Sequence, residues 1–407
     1  MLLISFSKAV CMSLNKATEF TSAPSFFNNP RNRAIIYQLL LLIALGYFFY
    51  SIVSNTLANM EARGIKSGFG FLSTTAGFDI LMSLIPFDAT NTYGRTFFVG
   101  LLNTLLVSVI GIFFATLVGF VVGIARLSRN YLIRNIATIY IELFRNIPLL
   151  IQIFFWYFAV LASLPSARQS LSLGEAIFLN VRGLYLPWIT NQQGSSIVYS
   201  AVVAAIIGII CLKRWAKHRQ DTTGDQFPVF WVSLVIFFSL PLLAMAITGN
   251  PFSLDYPELR GFNFSGGVTI IPELIALSIA LTVYTGTFIA EAVRAGVQAI
   301  PHGQTEAARS VGLQEGRIVM LIIIPQALRV IIPQLNSQYQ NLIKNSSLAT
   351  AIGYPELFTV FMGTTLNQTG QAVEIVSITM LVYLTINLLL SALMNLLNAK
   401  VALVEKK

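Results

Sequence analysis

Apolar stretches of about twenty residues, the length a helix needs to cross the hydrocarbon of a bilayer, recur along this chain. Eight of them read as spans, near 34–53, 97–125, 138–162, 197–212, 229–248, 268–292, 342–363 and 373–398. The fourth is short. The seventh contains Gly353 and Pro355, which predict a break or a kink. Composition agrees with the spans: of 407 residues, 55% are hydrophobic and only 11% charged, where a soluble protein carries about 25% charged residues. The fold class is therefore an all-α polytopic membrane protein.

The formal net charge is +9, which admits either nucleic-acid binding or orientation charge in a membrane protein. The positions decide. With both termini placed in the cytoplasm, the cytoplasmic segments hold 19 Lys and Arg, from Lys8 to Lys407, and the opposite side holds 6. Arg145 lies near a helix end. That bias is the one orientation charge produces, and nucleic acid is not an expected partner. The outer segments, 54–96, 163–196, 249–267 and a short turn near 366–372, are too short to fold as a solute-binding domain.

Two cysteines (Cys11, Cys211) and two histidines (His218, His302) are too few and too scattered for a disulfide framework or a metal cluster. Residues 1–20 lack the run and cleavage site of a secretory signal, and Met12 is an alternative start.

The polar stretch between the sixth and seventh spans, 293–341, is far longer than a plain connector needs to be. Pro301 and Gly303 end or bend the preceding helix, and Gln304–Val311 suits a short helix. Gly303, Ala307 and Val311 form one row on it and Gln304, Ala308 and Gly312 the next. This small-volume face lets a partner approach the backbone. Glu306 and Arg309 are spaced to pair, Gly312 stands where the helix end calls for a left-handed residue, and Glu315 falls in the first turn of a second helix. Pro325 and Pro333 bend the chain beyond that helix. A docking surface explains this loop better than a connector does.

The run Glu306-Ala307-Ala308, then Gly312, then Ile322-x-Ile324-Pro325 resembles the EAA loop of ABC importer permeases, with Ile324 where the pattern usually has Leu. Gly303-Gln304 before it, Pro325-Gln326-Ala327-x-Arg329 after it and Lys344-x-Ser346-Ser347-Leu348 beyond are similar to the polar amino acid permeases, which serve histidine, glutamine, glutamate, arginine and related solutes. A second patch agrees: Arg95-Thr96 and Gly100-x-x-x-Thr104 open a span, and Glu142-x-x-Arg145-x-x-Pro148 resembles the family's Glu-x-x-Arg-x-x-Pro segment. Glu142 and Arg145 are also spaced to pair at the membrane edge; the plainer reading of Arg145 is snorkelling to the interface.

The resemblance covers 93–162 and 268–398 and implies a five-helix type I permease core with about three extra spanning helices. The expected organisation is a cytoplasmic segment 1–33, an extra span and periplasmic segment 34–96, and the first part of the core at 97–162. An inserted loop with two spans follows at 163–267, then the second part of the core at 268–398 with the coupling loop at 293–333, and a tail at 399–407. The long form resembles the paired permeases of general L-amino acid and glutamate/glutamine/aspartate/asparagine importers. It implies a bacterial inner-membrane location and a second permease subunit, read as a different chain with a second copy as the alternative. It also implies two ATP-binding subunits and a periplasmic solute-binding protein. The chain has no G-x-x-x-x-G-K-[ST] sequence and no Gly-Lys pair, so it cannot hold nucleotide by that route. No cofactor is expected in this chain, ATP and Mg belong to the ATPase partners, and it is not itself an enzyme. Coupling is expected at Gly303, Glu306, Ala307, Ala308, Gly312 and Pro325, with Glu142, Arg145 and Pro148 as the core-helix motif.

The rival reading is an ion-coupled secondary transporter, which places carboxylates deep in the bundle. The span-associated acids Glu142, Glu273, Glu291 and Glu374 read as lying near helix ends, and no inverted repeat is visible. A membrane-embedded enzyme needs clustered catalytic groups, and His218 and His302 stand alone. A channel leaves the docking loop unexplained.

Overall fold

The computed structural model describes residues 30–62 and 68–401; the expectations for Lys8, Lys16, Cys11, Met12 and the last residues of the tail lie outside these. Contacts divide the chain after Phe69. Among the described residues, the first unit holds one long helix, α1 (Pro30–Ala62). Its residues from Ile35 to Val53 are almost all apolar and exposed, the character of a helix solvated by lipid.

The second unit is built on α2 (Tyr93–Arg126) and α7 (Pro272–Gln298). Between them come α3 (Tyr131–Asn146), α4 (Leu149–Phe154, continued by a π turn to Leu161), α5 (Ser195–Thr223) and α6 (Val229–Thr248). After α7 follow α8 (His302–Ser310), α9 (Glu315–Ile318) and α10 (Ile324–Asn345), then α11 (Leu366–Thr369) and α12 (Ala372–Val401). Among the described residues, seven helices are long and apolar enough to cross a membrane, and eight if α3 and α4 are taken as one bent span.

Small residues set the central packing. A Cβ on Gly119 would lie 2.4 Å from Ile289 Cγ2, and one on Gly123 would lie 2.8 Å from the Ala290 carbonyl oxygen. Helices in lipid associate by such close backbone approach, since burial from lipid supplies little drive. Gly296 does the same between α7 and α10, where a Cβ would meet Ile331 Cγ1 at 2.4 Å.

Two spans differ from the sequence expectation. The third, read as one helix over 138–162, is bent by 103° between α3 and α4. Pro148 holds the bend: Ile147 before it is extended (φ −91°, ψ 126°), as a residue preceding proline must be. The buried Gln152 side chain then donates to the freed carbonyls of Phe144 (2.8 Å) and Ile147 (2.9 Å). The seventh, read as 342–363, is one helical run from Glu315 to Ile352, so much of the stretch read as loop is continuous helix, long and apolar enough to cross a membrane. A π turn at Val319–Ile323 precedes Pro325, widening the helix where the ring would meet a carbonyl, and Pro333 is carried inside α10. The break at Gly353 and Pro355 is present: Gly353 is left-handed (φ +78°), and a third π turn, Phe358–Thr365, leads into α11.

The chain is mostly helical, but the segments 163–196 and 249–270 carry eight short strands that the helix-only reading did not foresee. An antiparallel sheet joins β1 (Leu171–Leu173), β2 (Ile177–Asn180), β3 (Gly183–Leu186) and β8 (Val268–Ile270) in that order, and β6 (Glu258–Arg260) pairs with β7 (Asn263–Ser265). β4 (Trp188–Asn191) and β5 (Phe252–Asp255) pair across the base of the α5–α6 hairpin, Trp188 opposite Asp255 and Asn191 opposite Phe252. The insertion thus closes on itself and rejoins the core beside the point where it left.

Candidate functional site: an exposed helical knob and its attachments

α8 starts after Pro301, which is pre-set for the turn (φ −60°, ψ 135°). It ends in a fully formed left-handed cap. Gly312 has φ +78°, its N–H donates to the Arg309 carbonyl (2.9 Å), and the Leu313 N–H donates to the Ala308 carbonyl (3.2 Å). This is the pair of bonds that satisfies the last carbonyls of a helix ending on glycine. Arg309 Nε donates to Glu315 Oε1 at 2.6 Å across the turn, and that bond holds the guanidinium above its ordinary pKa. Glu315 is the acid that Arg309 pairs with, in place of the expected Glu306; the left-handed turn folds the chain back and brings the acid of the next helix closer.

The two small rows of α8 differ at their middle. Ala308 is buried and Gln304 reaches Gln326 of α10 at 3.4 Å, which turns the centre of this row toward the body of the protein, while Gln304 and Gly312 remain exposed. Gly303, Ala307 and Val311 stay exposed, and Val311 ends that row as an apolar tip, 75% exposed. Glu306 is exposed and its carbonyl caps Ser310 Oγ (3.0 Å). Pro325 stands at the π turn on which α8 rests. The expected coupling residues therefore share one knob, with Ala308 and Pro325 supporting it and the others at its surface or turn.

A charged cluster ties the knob's root to the bundle. Glu291 on α7 accepts from Arg126 at the end of α2, and Arg294 donates to it through Nε (3.0 Å) and again through its terminal nitrogen; Arg294 also bonds Gln298. Glu142 on α3 lies 3.8 Å from Arg126. The expected Glu142–Arg145 pair is not made. Arg145 instead lies over the Phe288 ring, 5.5 Å from its centroid, and Glu142 turns to the cation of a neighbouring helix. Of the core-helix motif, Pro148 makes the bend, Arg145 stacks on α7 and Glu142 faces α2. Arg126 and Glu291 are 165 residues apart, and no local spacing in the sequence announces their pairing.

The break after α10 is the second feature. Glu356 is fully buried. Its Oε1 accepts from the Thr359 N–H (2.7 Å) and hydroxyl (2.9 Å), and its Oε2 from the Phe358 N–H and the Tyr383 hydroxyl (each 2.8 Å). It caps the helix that restarts after Pro355. α2 holds the break from the other side. The Leu357 N–H donates to Thr104 Oγ1 (3.0 Å), Asn103 Nδ2 donates to the Pro355 carbonyl (2.8 Å), and a Cβ on Gly100 would lie 2.9 Å from Leu357 Cα. The Gly100-x-x-x-Thr104 pattern is thus a seat for the broken helix. The acids foreseen in the spans did not include Glu356, although a carboxylate within an expected span is a signal in itself. Glu273 and Glu374, read as interfacial, are also buried.

An exposed helical knob is thus rooted by ion pairs in a bundle of membrane-length helices. Residues 223–403 match the family of binding-protein-dependent transport system inner membrane components. The chain is 52% identical to YhdX of Escherichia coli (strain K12), named as an amino-acid ABC transporter permease protein, over 93% of this chain and 97% of that one. It is 48% identical to the general L-amino acid transport system permease protein AapQ of Rhizobium johnstonii, over 93% and 94%. It is 40% identical to the glutamate/glutamine/aspartate/asparagine transport system permease protein BztB of Rhodobacter capsulatus, over 92% and 95%. The chain belongs to this family: it is a multi-pass inner-membrane permease subunit of an ABC transport system.

Proposed function

We propose that this subunit imports polar L-amino acids into the cytoplasm, powered by ATPase subunits that dock on the exposed Gly303–Ala307–Val311 row and the Gly312 turn. Both termini face the cytoplasm in this reading, and Mg-ATP binds only to the partners. A solute-binding protein delivers amino acid to the opposite face, and a second permease, a different chain by preference, completes the pathway. The observation that carries this is the knob: small residues outward, a glycine-capped turn, and the helix before it anchored through Glu291 to α2. Closure of the ATPases then moves α7 and α2 together. The buried Glu356 is what an ion-coupled rival needs, but four donors already converge on it as a helix cap. Proteoliposomes holding both permeases, the ATPase and the binding protein should accumulate L-glutamate or L-glutamine with ATP inside. Accumulation without the ATPase, driven by a sodium or proton gradient, would refute the reading.

A further inference from the structure

At the end of α7 remote from the knob, a cleft of about 670 Å³ opens beneath the β1–β2–β3–β8 sheet, within the size range of small-molecule sites. The 27 residues of α7 separate it from the knob by about 40 Å at a rise of about 1.5 Å per residue, so it lies on the side where an importer receives solute.

Two opposite charges line it, Glu273 and Arg182. Glu273, in the first turn of α7, is nine-tenths buried. Its Oε1 accepts from the Tyr157 hydroxyl (2.8 Å), and its Oε2 has no hydrogen bond. A buried carboxylate oxygen without a donor is a cost that folding does not repay. Arg182 is exposed, and among the described residues its guanidinium has no ion pair or hydrogen bond. Its backbone is fixed all the same. The Arg182 N–H donates to Asn180 Oδ1 (2.8 Å), and the next residue, Gly183, is left-handed (φ +129°) and so close to β8 that a Cβ would lie 2.3 Å from the Ile270 carbonyl oxygen. Asn263, on the same cleft, uses its Oδ1 to accept from the buried Tyr185 hydroxyl (2.9 Å), which turns its amide N–H₂ into an available donor.

An unsatisfied carboxylate together with an unpaired guanidinium and a free amide donor does not suit a simple cation or anion. It suits a molecule carrying both charges. We infer that this cleft binds the free α-amino acid zwitterion, its ammonium on Glu273 and its carboxylate on Arg182 with Asn263. The inference rests on the amino-acid reading above and adds to it an outer acceptor site. It also gives the insertion a task, because Arg182 and Asn263 both belong to it.

The test uses the assembled importer, both permeases with the ATPase, in nanodiscs without binding protein, titrated with tritiated L-glutamine and L-glutamate. Saturable binding is expected for at least one, not displaced by its N-acetyl or α-amide derivative. Arg182→Gln and Glu273→Gln should each weaken it roughly tenfold to a hundredfold, the loss of a charge-assisted hydrogen bond. Arg182 is exposed and Glu273→Gln keeps an oxygen for Tyr157, and unchanged melting temperatures would confirm that both variants fold. Absence of saturable binding, equal displacement by the N-acetyl derivative, or wild-type affinity in both variants would overturn the inference. ATP-driven uptake with binding protein, run in parallel, separates the two readings. Uptake without this binding removes only the outer site, whereas no uptake of any amino acid removes the transport reading on which it rests.

Discussion

Replacing Gly312 by valine tests whether the knob works through its shape. A Cβ at Gly312 would meet nothing within 4 Å, so valine brings no clash inside the chain. What it brings is backbone strain: φ is +78°, where a residue with a side chain costs about 1–2 kcal/mol and a β-branched one stands at the upper end. In the free permease the turn escapes that strain by opening the Leu313–Ala308 and Gly312–Arg309 bonds. Docking must restore them, and at about 1.4 kcal/mol per tenfold the ATPase then binds roughly 5- to 30-fold more weakly. Gly312→Asn, which tolerates the left-handed region, should stay within about threefold. The assay is titration of labelled ATPase onto the permease in nanodiscs, with melting temperature as the control for global folding. Equal, wild-type-like affinity for the valine variant, or an asparagine variant as weak as valine, would refute the argument that turn geometry carries docking.

Glu291→Gln leaves Arg126 and Arg294 without their shared carboxylate. The group is a quarter exposed, so the loss should fall below that of a fully buried pair, about 1–3 kcal/mol, seen as a lower melting temperature; Arg126→Met in the same chain should recover part of it. Glu356→Leu strands the four donors that converge on that carboxylate and should cost about 3 kcal/mol or more, while Glu356→Gln keeps an acceptor and should cost less; thermal unfolding of both variants checks the order.

The class of fold was legible because hydropathy is a local property: twenty apolar residues declare themselves without neighbours. The knob was legible for a similar reason, since Gly312, Ala308 and Pro325 act through the backbone conformation of their own segment. Cross-helix partners were not. Spacing proposed Glu142 with Arg145 and Glu306 with Arg309, each a neighbour along one helix, and packing supplied Arg126 and Glu315 instead. Prolines left the length of the helix open: Pro325 and Pro333 announce bends, and the helix runs on through both, with a π turn just before Pro325. The strands were missed because each has only three or four residues, too few for alternation to show, and two of the pairings, β3 with β8 and β4 with β5, join segments far apart in the chain, as Leu184 opposite Ile270 illustrates.

The glycine contacts between α2 and α7 leave no slack at their crossing. Two rods meshed that tightly resist small slides and counter-rotations, so under the coupling proposed above a displacement entering at the root of α8 is carried toward Gly100 and Thr104, and with them the seat of Glu356. Access to the solute path should therefore switch between discrete settings, without intermediate apertures.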